Sequence, residues 1–210
     1  MRGGAYGPGA VRYANLGGMN QLRDNFPIEP DSKRRFTVDE FERMGMAGIL
    51  GRDERVELIS GEIVLMSPVG PLHTDLRMYL AHFWARASDR ALVVAEAPLR
   101  LSVNFEPVAD LAVFAMGTKA QHLSGANAWL VVEIADSSLT TDTGVKAAAY
   151  AGGGVREYWV INARTRVTII YREPREDGTY GVMFEVAPGD LAAPLLVPEL
   201  AVRMADIPGA

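Results

Sequence analysis

Residues 129–159 read "WLVVEIADSSLTTDTGVKAAAYAGGGVREYW". Trp129-Leu130-Val131-Val132, continued by Ile134, has the unbroken apolar character of a strand buried on both faces. "LTTDTGVKAAAYAGG" follows as a helix, with Thr140 or Thr141 as its cap and Gly152 to Gly154 ending it. "VREYWVINARTRVTIIYREP" then reads as two strands joined by a turn near Asn162 to Thr165. Glu133 interrupts the first apolar run. A lone ionised carboxylate there carries a large desolvation cost unless a cation meets it.

Upstream, Thr37 with Glu40 three residues on matches a capping box, so a short helix starts at "FTVDEFERMGM". "RVELISGEIVLMSP" places two apolar runs around Ser60-Gly61, a hairpin signal, with Glu57 in the first arm. Leu72, Leu76, Tyr79, Leu80, Phe83 and Trp84 recur at helical spacing. "ALVVAEAPLRLSV" reads as two strands pivoting near Pro98, and "PVADLAVFA" as another, with Asp110 inside it. "TYGVMFEV" and a Pro-punctuated C-terminus complete the chain. Helices and strands in this order predict a mixed α/β (α+β) domain built on one central sheet.

The ordered domain is expected over residues 36–210. Residues 1–35 are rich in Gly, Pro and polar residues and read as a tail without a core of its own, with Met19 an alternative start. The basic cluster Lys33-Arg34-Arg35 ends it and reads as solvated surface. The 210 residues suffice for one hydrophobic core, and the apolar (49%) and charged (22%) fractions are those of a globular protein. With no cysteine, disulfides and thiolate metal sites are excluded. No apolar run is long enough to span a bilayer, and the N-terminus lacks a signal-peptide core, so a cytoplasmic protein without membrane contact is expected. A net charge of −5 argues against coating nucleic acid by bulk electrostatics, but it excludes neither a local basic face nor an acidic pocket that holds metal.

Asp110 and Glu133 supply that pocket. Both stand among apolar neighbours on successive strands, so adjacent strands would aim both carboxylates at one spot. Two carboxylates and a backbone carbonyl suit Mg²⁺ with waters left over. The following helix places Lys146 in its second turn, within reach of Glu133. Carboxylates, metal and lysine can activate a water and steady a phosphorane-like transition state. A plain Glu133–Lys146 ion pair is the simpler alternative.

"VELISGEIVLMSP", "HTDLRMYL", "PVADLAVF", "VVEIADSS" and "TDTGVKAAAYAGGGVREYWVIN" resemble the Uma-type restriction endonuclease family over roughly residues 36–208. The resemblance implies a PD-(D/E)XK nuclease with a restriction endonuclease-like core: a mixed sheet flanked by helices, with an N-terminal hairpin. It implies metal ligation by Asp110, by Glu133 and by the Ile134 backbone carbonyl. Ala135 stands where the standard motif has Lys, so the role passes to Lys146 on the following helix. Glu57 would hold a metal-bound water or a second ion. His73, Asp142 and Tyr150 match auxiliary positions. Ala109 departs from the proline that usually precedes the motif Asp.

The residues themselves leave blander roles open. His73 can cap its helix, Asp142 can serve as a favourable first-turn charge, and Tyr150 can pack beneath Lys146. His82 and His122 show no partner spacing, and "AYAGGGV" lies at a helix C-terminus, the wrong end for phosphate. The expectation is an Mg²⁺- or Mn²⁺-dependent endonuclease acting on duplex DNA as a homodimer. The alternatives are a catalytically idle nuclease-fold binding module and a phosphodiesterase acting on RNA.

Overall fold

A computed structural model describes residues 33–51 and 53–208. Most of the stretch read as a tail, Met19 included, lies outside the described residues.

The Thr37 capping box forms as expected: the Thr37 hydroxyl accepts from Glu40 N–H, and the Glu40 carboxylate accepts from Thr37 N–H. It starts α1 (Val38–Met46). β1 (Val56–Ile59) and β2 (Glu62–Leu65) pair antiparallel across Ser60-Gly61. Both turn residues have positive φ, 52° and 77°, the backbone that a two-residue hairpin with right-handed strand twist requires. α2 (Pro71–Ala87) follows, with proline at its first position, where no amide hydrogen bond is lost.

β3 (Ala91–Pro98), β4 (Val108–Ala115), β5 (Leu130–Ala135), β6 (Glu157–Asn162), β7 (Thr168–Pro174) and β8 (Tyr180–Val186) form one six-stranded sheet in that order. β5 and β6 are parallel; every other neighbouring pair is antiparallel. The β5–β6 crossover is α3 (Leu139–Thr141), a π-helical turn (Asp142–Lys146) and α4 (Ala147–Gly152), run together.

The sheet is covered on both faces, which is why β5 and β6 are apolar throughout. On one face Leu76, Leu80 and Trp84 of α2, with Val202, Met204 and Ile207 near the C-terminus, pack on Leu111, Val132 and Trp159. On the other, Ala147 and Tyr150 pack on Phe114, Val131 and Tyr158.

Two local expectations are corrected. No second strand follows Pro98. Leu99 and Leu101 donate to the carbonyls of Pro107 and Phe105 in a tight loop, and Pro107 lacks the N–H that would return a bond to Leu99. The β5–β6 helix is capped neither by Thr140 nor by Thr141. Ser138 holds the cap position, and its hydroxyl donates to Asp142 Oδ2 at 2.5 Å.

Candidate active site

The site forms where β4 and β5 part. Their ladder pairs Leu111 with Val132, Ala112 with Val131 and Val113 with Leu130, and no further. At Asp110 and Glu133 the strands have diverged, so Ile134 N–H has no partner on β4. The Asp110 carboxylate enters the gap and accepts that hydrogen bond on Oδ2 at 2.7 Å. Its other oxygen lies 2.9 Å from His73 Nε2, at the start of α2.

Glu133, 3% exposed, meets two donors. Lys146 Nζ stands 3.2 Å from its Oε1, and the Tyr150 hydroxyl donates to the same oxygen at 2.8 Å. Lys146 is also 3.3 Å from Glu57 Oε2, and that oxygen accepts from Val108 N–H. The ammonium is therefore bracketed by one carboxylate from the hairpin and one from the central sheet. Asp142, four residues earlier on the π turn, is buried as well, and Tyr158 donates to its carbonyl. Asp142 does stand in a first turn, where a negative charge is favourable, but as a buried residue. His73 does not cap its helix: it faces Asp110 while Gly70 holds the N-cap of α2. Tyr150 packs as expected and also donates to Glu133.

Glu57, His73, Asp110, Glu133, Ile134, Asp142 and Lys146 all line one cavity of about 230 Å³, walled on one side by Val64 to Val69 of the hairpin and its exit. Tyr150 touches the site from beneath, through Glu133. Asp136 lines the same cavity, with its carboxylate 2.8 Å from Arg164 Nε. Sequence reasoning missed it, although an acid directly after the end of a buried strand was the available signal.

Glu133, Glu57 and Asp142 all act on the one ammonium of Lys146, and the titration of Glu133 and Asp142 reflects the crowding. Burial pushes Glu133 well above the ordinary carboxylate range, and the charges of Asp110 and Asp142 push it the same way, against Lys146 and the Tyr150 hydrogen bond. Asp142 is raised too, chiefly by burial and against its Ser138 bond. For Lys146, burial favours the neutral amine, but Glu133, Glu57 and Asp142 together outweigh it and hold the ammonium charged above its usual range.

Among the described residues, no three His, Asp or Glu side chains stand ready to hold a metal ion. The reason is visible. Glu57 and Glu133 are turned onto Lys146, and Asp110 is turned onto His73 and the Ile134 amide. The donors nevertheless fit a hard divalent cation in kind, being carboxylate oxygens with surplus negative charge in a small cavity. Rotation of Glu133 or Glu57 away from Lys146 would present them.

Among the described residues no helix is long and apolar enough to cross a membrane. A search of curated proteins gave no match. The chain is similar in fold to the crystal structure of "a putative nuclease belonging to DUF820" from Anabaena variabilis. The TM-score is 0.66 at 16% identity, over 82% of this chain and 97% of that one. The Uma2 family, described as "Putative restriction endonuclease", matches residues 38–205. That span takes in the hairpin, the whole sheet and every residue of the cavity, and on it the chain belongs to the Uma2 family.

Proposed function

We propose that this protein is a divalent-metal-dependent endonuclease that hydrolyses phosphodiester bonds in duplex DNA. The observation that supports it best is the convergence of Asp110, Glu133, Glu57 and Lys146 on one cavity from four separate elements. Asp110, Glu133 and the Ile134 carbonyl would hold Mg²⁺ or Mn²⁺, with Glu57 on a water or a second ion. Such an ion supplies Lewis-acid polarisation of the phosphate and a bound water of lowered pKa.

The side chains divide the remaining work. Lys146, released from Glu133, puts a compact positive charge where the phosphate gains negative charge. His73 fixes the rotamer of Asp110 through its 2.9 Å contact. Tyr150 fixes Glu133 from below. The apolar wall from Val64 to Val69 limits the water that reaches the reacting centre. A homodimer in the cytoplasm completes the proposal, since two symmetry-related sites cut both strands of a duplex most simply.

A second reading is a nuclease-fold module that binds nucleic acid without cutting. The engagement of every cavity carboxylate with a protein donor favours it. One experiment separates the two. Wild type and Asp110→Asn are incubated with supercoiled plasmid, a linear duplex, a single strand and an RNA, each with Mg²⁺, Mn²⁺ or chelator. The proposal expects metal-dependent nicking of plasmid by wild type, abolished in Asp110→Asn. Cutting of RNA alone would move the substrate, and binding without cutting would favour the idle module.

A further inference from the structure

Glu96 lies on β3 at a break in the ladder. Ala95 pairs with Leu111 and Ala97 with Ala109, but Glu96 does not pair with Asp110 between them. The Glu96 backbone has φ of 51°, a conformation that non-glycine residues seldom adopt and that is retained where surroundings enforce it. Two arginines meet on its carboxylate. Arg55 Nη2 and Arg77 Nη1 stand 3.0 and 2.6 Å from the same oxygen, Oε1.

Each member of this trio is offset by one structural step from a residue of the cavity. Arg55 precedes Glu57 by two residues of extended chain, so both side chains leave on the same side. Arg77 follows His73 by four residues on α2, about one turn along the same face, a rise of about 6 Å. Glu96 stands across the ladder from Asp110. The trio is therefore tied to the same elements that build the cavity, on the α2 side.

One carboxylate against two guanidiniums leaves a net positive charge. Each guanidinium carries five N–H donors, and among the described residues each makes one hydrogen bond, to Glu96. We propose that Arg55 and Arg77, held side by side on Glu96, form a phosphate clamp that seats the backbone phosphate next to the one at the carboxylate site. The clamp rests on the nuclease reading above and adds to it a second anchoring point on the same strand. It also answers an electrostatic difficulty. The cavity itself is acidic and repels a polyanion, so attraction must come from cations at its margin. Guanidiniums suit that task, because their planar fork matches two phosphate oxygens.

The test is the salt dependence of binding to a fluorescein-labelled 20-base-pair duplex, read by anisotropy without divalent metal, alongside plasmid nicking with Mg²⁺. Arg55→Gln and Arg77→Gln are each expected to lower the slope of log K against log salt by about 0.9, the loss of one phosphate contact on duplex DNA. In nicking they raise KM and leave kcat in place, the signature of lost uniform binding. Glu96→Gln, which frees both arginines, is expected to tighten binding and steepen the slope. Loss of an ion-pair network that serves only stability would produce neither change. Arg86→Gln, at the far end of α2, controls for a lost positive charge and keeps the wild-type slope. If Arg55→Gln and Arg77→Gln match that control while wild type still binds and cuts, the clamp is overturned and the nuclease reading stands. A wild type that neither binds nor cuts overturns both. Equal salt-dependent binding of polyglutamate would reassign the arginines to an acidic peptide and overturn the clamp.

Discussion

Lys146 holds two carboxylates at once, and its removal would be felt in two ways. Both partners are nearly buried, with side-chain exposures of 9% for Glu57 and 4% for Glu133. Lys146→Met strands them without a counter-ion, which costs about 3 kcal/mol in the metal-free protein. Metal should restore much of that loss, because it meets the same two charges. Cleavage should not return with it. The expected drop is about 10²–10³ in rate, the usual effect of deleting one preorganised charge. Nicking by matched amounts of folded protein measures it, and wild-type-like nicking would remove Lys146 from the mechanism. Glu133 gives a second test, with a definite sign. Its proton is held well above the 4.5 of an ordinary glutamate. The unfolded chain releases that proton first, so the native state binds more protons above pH 4.5, and stability falls as pH rises through this window. Glu133→Gln cannot ionise. Its melting temperature relative to wild type should therefore climb between about pH 5 and about pH 8. A constant difference across that range would mean that Glu133 is already ionised at the lower pH.

Among elements, the hairpin and the π turn carry the site. The β1–β2 turn is tight enough that a Cβ on Gly61 would stand 2.7 Å from Arg35 Cβ and 3.0 Å from the Phe36 carbonyl, at φ of 77°. Gly61→Ala should cost more than about 1 kcal/mol, since alanine is strained at positive φ even without a clash. Because Glu57 rides on the first arm, metal affinity should fall in the same variant. Thermal unfolding checks the first and calorimetric metal titration the second, and unchanged affinity would detach the hairpin from the site. This turn was legible from Ser60-Gly61 between two apolar runs. The π turn was not. In a regular α-helix, side chains four and eight residues on drift by about 40° and 80°. The wider turn over Asp142–Lys146 brings Asp142, Lys146 and Tyr150 closer to one line. A hydrophobic pattern records which face is apolar and is silent on the pitch that aligns three polar groups. For a like reason the loop after Pro98 read as a strand. Leu99 and Leu101 alternate correctly, and the ladder stops because Pro107 has no amide to return the bond from Leu99.

At the scale of the whole molecule, the apolar residues on both faces of the sheet made the central elements readable, and the acids inside them stood out as exceptions. Asp110 and Glu133 were visible for that reason, and Lys146 from its place on the helix that follows. The pairing of His73 with Asp110, the burial of Asp142 and the Arg55–Glu96–Arg77 trio were not, because each joins segments that meet only when the sheet and α2 are assembled. That assembly links metal binding to global stability. An ion that binds the native cavity and not the unfolded chain stabilises by RT ln(1 + [L]/Kd), about 2.7 kcal/mol at one hundred times Kd. Millimolar Mg²⁺ or Mn²⁺ should raise the melting temperature by several degrees, and Asp110→Asn should flatten the response. A wild-type melting curve indifferent to both ions would count against the metal site.

Asp110 has a second occupation that bears on how such a site could age. Its carboxylate closes the seam between β4 and β5 by taking the amide of Ile134, a service independent of any reaction. A descendant that had abandoned chemistry would still need an acceptor there, and aspartate or asparagine would persist as a structural relic. Glu57 does the same for the Val108 amide of β4. Both acids would therefore outlast the chemistry, and the presence of either is by itself no sign of a working enzyme.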